Sequence, residues 1–171
     1  LSVESSSGSQ RLAELQAAEV RLDSSSGSIT VESVAGRVRA DASSGSVELD
    51  FAGNSGEAAA DTSSGRVEVR GLRGTVDLET RSGDVGVDLA ELTGDSAIST
   101  SSGDVRVGLP SESAFAVDLD TSSGRVTVDF PVTVSGPMGQ DNVRGTVNGG
   151  GPVLEVDTSS GDIELSPRAQ F

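Results

Sequence analysis

A Ser-Ser-Gly triplet recurs along the whole chain, with its glycine at Gly8, Gly27, Gly45, Gly65, Gly83 (where Arg81 replaces the first serine), Gly103, Gly124 and Gly161. The steps are 19, 18, 20, 18, 20 and 21 residues and then 37, close to two steps. A sustained period of about 20 residues marks a solenoid, in which each repeat is one turn of a coil and buries its apolar face only against its neighbours. This constrains fold strongly and chemistry hardly at all.

Aligning the repeats on that glycine turns the sequence into columns. Seven residues before it stand Val20, Val38, Ala58, Val76, Ser96, Val117 and Leu154. Five before it stand Leu22, Ala40, Ala60, Leu78, Ile98, Leu119 and Val156, and three before it the small residues Ser24, Ala42, Thr62, Thr80, Thr100, Thr121 and Thr158. Apolar residues resume two positions after the glycine, from Ile29 and Val47 to Ile163, and again four after it, from Val31 and Leu49 to Leu165. Polar residues such as Glu48, Arg106 and Thr127 lie between. An alternation of two is one wet and one buried face of a strand. Each repeat therefore reads as two strands meeting at a Ser-Ser-Gly corner, where glycine tolerates positive φ and serine hydroxyls satisfy turn groups.

A third, variable side carries an apolar residue and a glycine at matching offsets in Val34-Ala35-Gly36, Leu72-Arg73-Gly74 and Leu92-Thr93-Gly94, while Gly56 lacks the apolar partner. The expected fold is all-β: one single-stranded β-solenoid domain over residues 1–171, with eight or nine coils of 18–21 residues. Two regions depart from the pattern. Ser9 to Val20 contains helix-like residues and has Gln10 where an apolar residue is due, and Asp129 to Gly151 lacks a motif and reads as a distorted penultimate coil. The chain starts at Leu1, inside a motif, as expected of a processed chain or an excised fragment.

Inventory removes whole classes of chemistry. There is no Cys or His, and all twelve cations are Arg. Thiol nucleophiles, Ser-His-Asp triads, the usual zinc sites, Schiff-base lysines and P-loops have no residues to build them. A net charge of −15 opposes phosphate backbones, and no Arg cluster stands out in the sequence, so nucleic acid is not an expected partner. No apolar stretch is long enough to span a bilayer.

The tail GTVNGGGPVLEVDTSSGDIEL (Gly145 to Leu165), with TSSGDVRV and TSSGRVTV upstream, resembles a bacterial family described as an adhesin-like domain of unknown function with repeated TSSGD motifs. The resemblance extends over essentially the entire chain. It implies a right-handed β-solenoid in an exported or membrane-anchored bacterial protein, hence an extracytoplasmic, cell-surface or secreted setting. It supplies no catalytic residues.

The sharpest feature outside the core is an acidic column four residues before the glycine: Glu4, Asp23, Asp41, Asp61, Glu79, Asp120 and Asp157, broken by Ser99. Stacked carboxylates are the oxygen ligands that Ca²⁺ takes, so Asp23, Asp41, Asp61, Glu79, Asp120 and Asp157 form a speculative Ca²⁺ ladder. A solvated column is the plainer reading, since two charges about 4 Å apart repel by only about 1 kcal/mol in water. Arg66 and Arg125, one residue past the corner, are placed to neutralise neighbours. Acids spread evenly along the coils are not a unique constellation, so no enzyme activity, catalytic residue or bound cofactor is expected. The expected function is a non-enzymatic surface or adhesion-like module presenting acidic, hydroxyl-rich faces to a protein or glycan. The alternative is a structural subunit that stacks end to end into extracellular filaments.

Overall fold

The computed structural model describes residues 1–135 and 139–168, and these contain strands, turns and no helix. The chain alternates between two long sides. Strands β1 (Ser2–Ser5) and β2 (Gln10–Ala13) begin the coil, followed by β3 (Gln16–Ser26) and β4 (Ile29–Glu32), then β5 (Ala35–Ser44) and β6 (Val47–Asp50). After β7 (Ser55–Ser64) comes β8 (Val67–Ser82), which serves one side up to a bend at Gly71 (φ 66) and the other side beyond it. Then follow β9 (Val85–Leu92), β10 (Ser96–Ser102) and β11 (Val105–Leu109).

Every pairing in this part is parallel, and each strand pairs with its equivalent one motif on. One side runs β1, β3, β5, β7, β8, β10, and the other β2, β4, β6, β8, β9, β11. Consecutive winding makes a β-solenoid of about five turns. The expectation of eight or nine successive coils counted every motif as the next turn, and the chain does not wind that way.

The last motifs depart from chain order. Next come β12 (Phe115–Ser123), β13 (Val126–Val128), β14 (Val132–Val134), β15 (Asn142–Val147), β16 (Val153–Ser160) and β17 (Ile163–Pro167). β10 is continued by β16 and not by β12, with Ile98 opposite Val156 and Thr100 opposite Thr158. β11 is likewise continued by β17. β12 and β13 lie outside these, pairing parallel to β16 and β17. The final strand pair is thus inserted beneath the pair that precedes it in sequence.

β15 then runs antiparallel along the outer edge of β12, Phe115 opposite Val147 and Leu119 opposite Val143, and β14 pairs antiparallel to β15. The stretch read as a distorted coil is this antiparallel cap, which covers an edge otherwise open to pairing. Gly136, Pro137 and Met138 of that stretch lie outside the described residues. The cap extends the same apolar core, and there Phe115 and Phe130 meet edge to face with centroids 5.5 Å apart. Val143 and Val147 are buried beside them.

The motif columns become the core. All members of the three columns before the glycine are buried, and so are Ile29, Val47, Val67, Val85, Val105 and Ile163 after it. Val126 and Val128 are half-buried because they stand on the last rung. Ser96 occupies an apolar column at no loss of hydrogen bonding: its Oγ accepts the Val76 N–H at 3.1 Å and donates to the Gly94 carbonyl at 3.4 Å. Gln10 is buried in the column where Ile29 follows, its Nε2 donating to the Asp23 carbonyl at 2.7 Å, and the segment read as helix-like is strand β2 and the start of β3, joined by a bend at Glu14.

The corners explain why the glycine recurs in every repeat. Gly45 has φ 135, and a Cβ there would run into the carbonyl oxygen of Gly27 one rung below. Rungs in hydrogen-bonding contact leave no room for a side chain at this point. On the third side Gly36, Gly56 and Gly74 stand in register, and Phe51 fills the apolar place that appeared empty in the Gly56 repeat.

Candidate functional site

Residues that alternate with the buried columns must face outward, and the parallel register places like on like. Glu4 is opposite Asp23, Asp23 opposite Asp41, Asp41 opposite Asp61, and Asp61 opposite Glu79. Glu79 then meets Ser99, which meets Asp157, which meets Asp120. The acidic ladder therefore exists, but its order follows the inserted strands: Asp157 stands next to Ser99, and Asp120 lies last, beside Asn142 of the cap. Ser99 divides it into a run of five acids and a pair.

A shallow groove of about 610 Å³ runs along the first four of these acids, Glu4 to Asp61, with serines such as Ser5, Ser24, Ser43 and Ser63 on its wall. Compensation is sparse: Arg39 Nε reaches Asp41 at 3.1 Å. Among the described residues no three acidic side chains are gathered closely enough to hold a metal ion. At the far pair, burial first and then Glu155, Asp120 and Asp118 push the Asp157 carboxyl above its ordinary value.

The inward hydroxyl column lies where the sequence placed it. Thr121 Oγ1 donates to the Gly161 carbonyl at 3.0 Å and Ser24 Oγ to the Gly27 carbonyl at 3.3 Å. Thr62, Thr80, Thr100 and Thr158, contiguous in the stack, are buried with hydroxyls that have no hydrogen-bond partner among the described residues.

A second ladder, not singled out in the sequence, lies one residue past the corner. Asp84 Oδ1 accepts the Asp104 N–H at 3.1 Å, Asp104 Oδ1 accepts the Asp162 N–H at 3.0 Å, and Asp162 Oδ1 accepts the Arg125 N–H at 2.8 Å. Each carboxylate ties its corner to the next rung by a charge-assisted bond. Arg66 pairs with Asp84 at 3.5 Å, so one of the two arginines flagged in the sequence does neutralise an acid through its side chain. Arg125 engages its acid through its backbone.

The fold also assembles a group that the sequence scatters. Arg66, Arg70, Arg106 and Arg168 surround a shallow groove floored by Gly86 and Gly108. None stands alone: Arg70 pairs with Glu68, Arg106 with Asp104 and Glu164 at 3.4 and 3.5 Å, and Arg168 with Asp88 at 3.0 Å. Burial raises the Asp88 carboxyl, and Arg168 and Arg70 partly offset this. Paired guanidinia leave the groove close to neutral. On the cap, Arg144 of β15 grips Asp118 of β12 with two bonds, Nε to Oδ2 at 3.0 Å and Nη2 to Oδ1 at 2.7 Å.

Parallel rungs, glycine corners and outward ladders of repeated chemistry define a β-solenoid repeat domain. The chain belongs to the Toastrack DUF4097 family, whose model matches residues 1–166. No curated protein and no solved structure matches it. No helix among the described residues is long and apolar enough to cross a membrane.

Proposed function

We propose that the domain is a non-enzymatic, extracytoplasmic surface module, adhesion-like in action, whose acidic and hydroxyl-rich face binds a protein or glycan at a cell surface. The supporting observation is the five-acid run from Glu4 to Glu79, in register on successive rungs and flanked by serines. Rungs about 4.8 Å apart present many weak, identical contacts to a repetitive partner, and such contacts multiply through effective concentration. Chemistry repeated on every rung suits adhesion better than catalysis, which needs one distinctive arrangement. The winding is taken as right-handed, the hand that parallel crossovers favour.

The test is binding of the chain to an immobilised polycationic glycan, such as chitosan, across a salt series. The wild type should be retained at low salt, and Asp23→Asn, Asp41→Asn and Asp61→Asn combined should lose most of that retention. Equal retention of the triple variant at every salt concentration would remove the ladder from the account.

End-to-end stacking into extracellular filaments is the second reading, supported by one observation: among the described residues β13 pairs with β17 alone. At that end β15 covers the neighbouring strand β12. Electron microscopy of the purified chain separates single rods, paired rods and fibres.

A further inference from the structure

The inserted pair β16–β17 occupies a slot whose two walls carry the same motif. On one side Thr158 faces Thr100 and Ile163 faces Val105, and on the other the same two residues face Thr121 and Val126. The slot therefore reads a complete pattern in its occupant: apolar residues at Leu154, Val156, Ile163 and Leu165, a hydroxyl at Thr158, a glycine at Gly161 and a carboxylate at Asp162. Gly161 could carry no side chain, since a Cβ there would strike the Gly103 carbonyl oxygen. Asp162 both donates its N–H to Asp104 and accepts from Arg125.

The aspartate ladder shows that the insertion is written into the sequence. In chain order the residues past the corner run Arg66, Asp84, Asp104, Arg125, Asp162. In stack order they run Arg66, Asp84, Asp104, Asp162, Arg125, so the three aspartates become contiguous and each finds an amide on the next rung.

The slot has walls made before its occupant is synthesised. β12 and β13 precede β16 and β17 in the chain, and β12 carries Leu119 and Thr121 at the places that would match Ile98 and Thr100 directly. Insertion requires the walls to stand apart until the last strands arrive. The segment joining cap to insert is Asn148-Gly149-Gly150-Gly151-Pro152, with φ of 49, 94 and 82 at its first three residues. It is held by the Gly150 N–H donating to the Val147 carbonyl at 3.0 Å and by Asn148 Nδ2 donating to the Ser111 and Ser113 carbonyls at 3.1 and 2.9 Å.

We propose that this slot is a strand-acceptor site, and that the partner it fits besides its own terminus is residues 153–167 of a second copy of this chain. Reciprocal exchange reproduces every pairing and every aspartate bond and changes the hinge alone, the condition under which swapped dimers form at little cost. The occupant is a second copy because the walls demand the columns that this segment carries.

The test uses the full chain, which has no native cysteine. Arg106 and Glu164 are opposite each other in the ladder, with side chains 58 % and 49 % exposed. Copies carrying Arg106→Cys are mixed with differently tagged copies carrying Glu164→Cys, held at high concentration below the melting transition, and oxidised. Disulfide-linked heterodimer should form severalfold above the level given by single-cysteine copies at Arg37→Cys and Glu57→Cys, which face each other on consecutive rungs and exchange only if the middle of the rod opens. Heterodimer no greater than that control would overturn the proposal. A second variant lacking Gly149 and Gly150 strains the hinge that the closed chain needs, and should sediment with severalfold more dimer than wild type at equal concentration and with wild-type strand content. A deletion variant that folds and is no more dimeric than wild type would equally contradict it.

Discussion

The Asp162 carboxylate accepts the backbone N–H of Arg125 at 2.8 Å, although Asp162 comes 37 residues later in the chain and lies one rung deeper in the stack. The rung order at this end is therefore not the chain order. Asp162→Ala would leave the Arg125 amide without its charged acceptor and loosen β13, already half-buried, from β17. A loss of about 1.5–3 kcal/mol is expected for a bond to a charged group. Urea unfolding measures it, and Asp162→Asn should recover part.

Val105 is fully buried between Val85 and Ile163, where β11 meets both the consecutive winding and the insert. Val105→Asp places an unpaired charge there and should cost more than about 4 kcal/mol, enough to abolish cooperative folding. Circular dichroism on heating reports it. A soluble variant with unchanged melting would place the column outside the core.

The inward threonines divide by hydrogen bonding. Thr121→Val removes the bond to the Gly161 carbonyl and should destabilise by about 1 kcal/mol. Thr80→Val removes a buried hydroxyl that has no partner among the described residues, so it should be neutral or stabilising. Chemical denaturation of the two variants side by side gives the sign of each.

Burial and the neighbouring acids raise the Asp157 carboxyl above the ordinary 3.8. Between the ordinary and raised values the folded state binds more protons than the unfolded one, so this group's contribution to stability falls as pH rises through that window and returns on acidification. Asp157→Asn should therefore be more stable than wild type at neutral pH, with the difference shrinking towards the ordinary carboxyl value. Melting temperatures across the acid range check the trend. A constant difference would remove the carboxylate repulsion.

Much of the fold was legible because a side-chain period of two and a glycine that admits no Cβ both leave marks in a single sequence. Val20 through Leu165 fell into columns for that reason, and the Asp23 to Glu79 ladder followed from parallel register. Phe51 escaped because the Ala52-Gly53 turn, with positive φ at both residues, shifts it out of the repeat's spacing. The cap escaped because Val132 to Val134 and Asn142 to Val147 alternate like any strands, and nothing in alternation distinguishes antiparallel from parallel. The insertion escaped because Val117 and Leu154, or Thr121 and Thr158, satisfy the same column in either order. The one available signal was Arg125 falling between Asp104 and Asp162 in the position past the corner. The Arg66, Arg70, Arg106 and Arg168 groove could not be read at all, since winding alone brings those positions together.

The inserted order of the last rungs is tested most directly by intrachain disulfide formation in two double-cysteine variants of the whole chain. Arg106 stands opposite Glu164, and Glu164 in turn stands opposite Thr127. Arg106→Cys with Glu164→Cys should oxidise readily within one chain, while Arg106→Cys with Thr127→Cys, two rungs apart, should stay reduced. Ready oxidation of the second pair with none in the first would mean that the motifs stack in chain order and that the insertion does not exist.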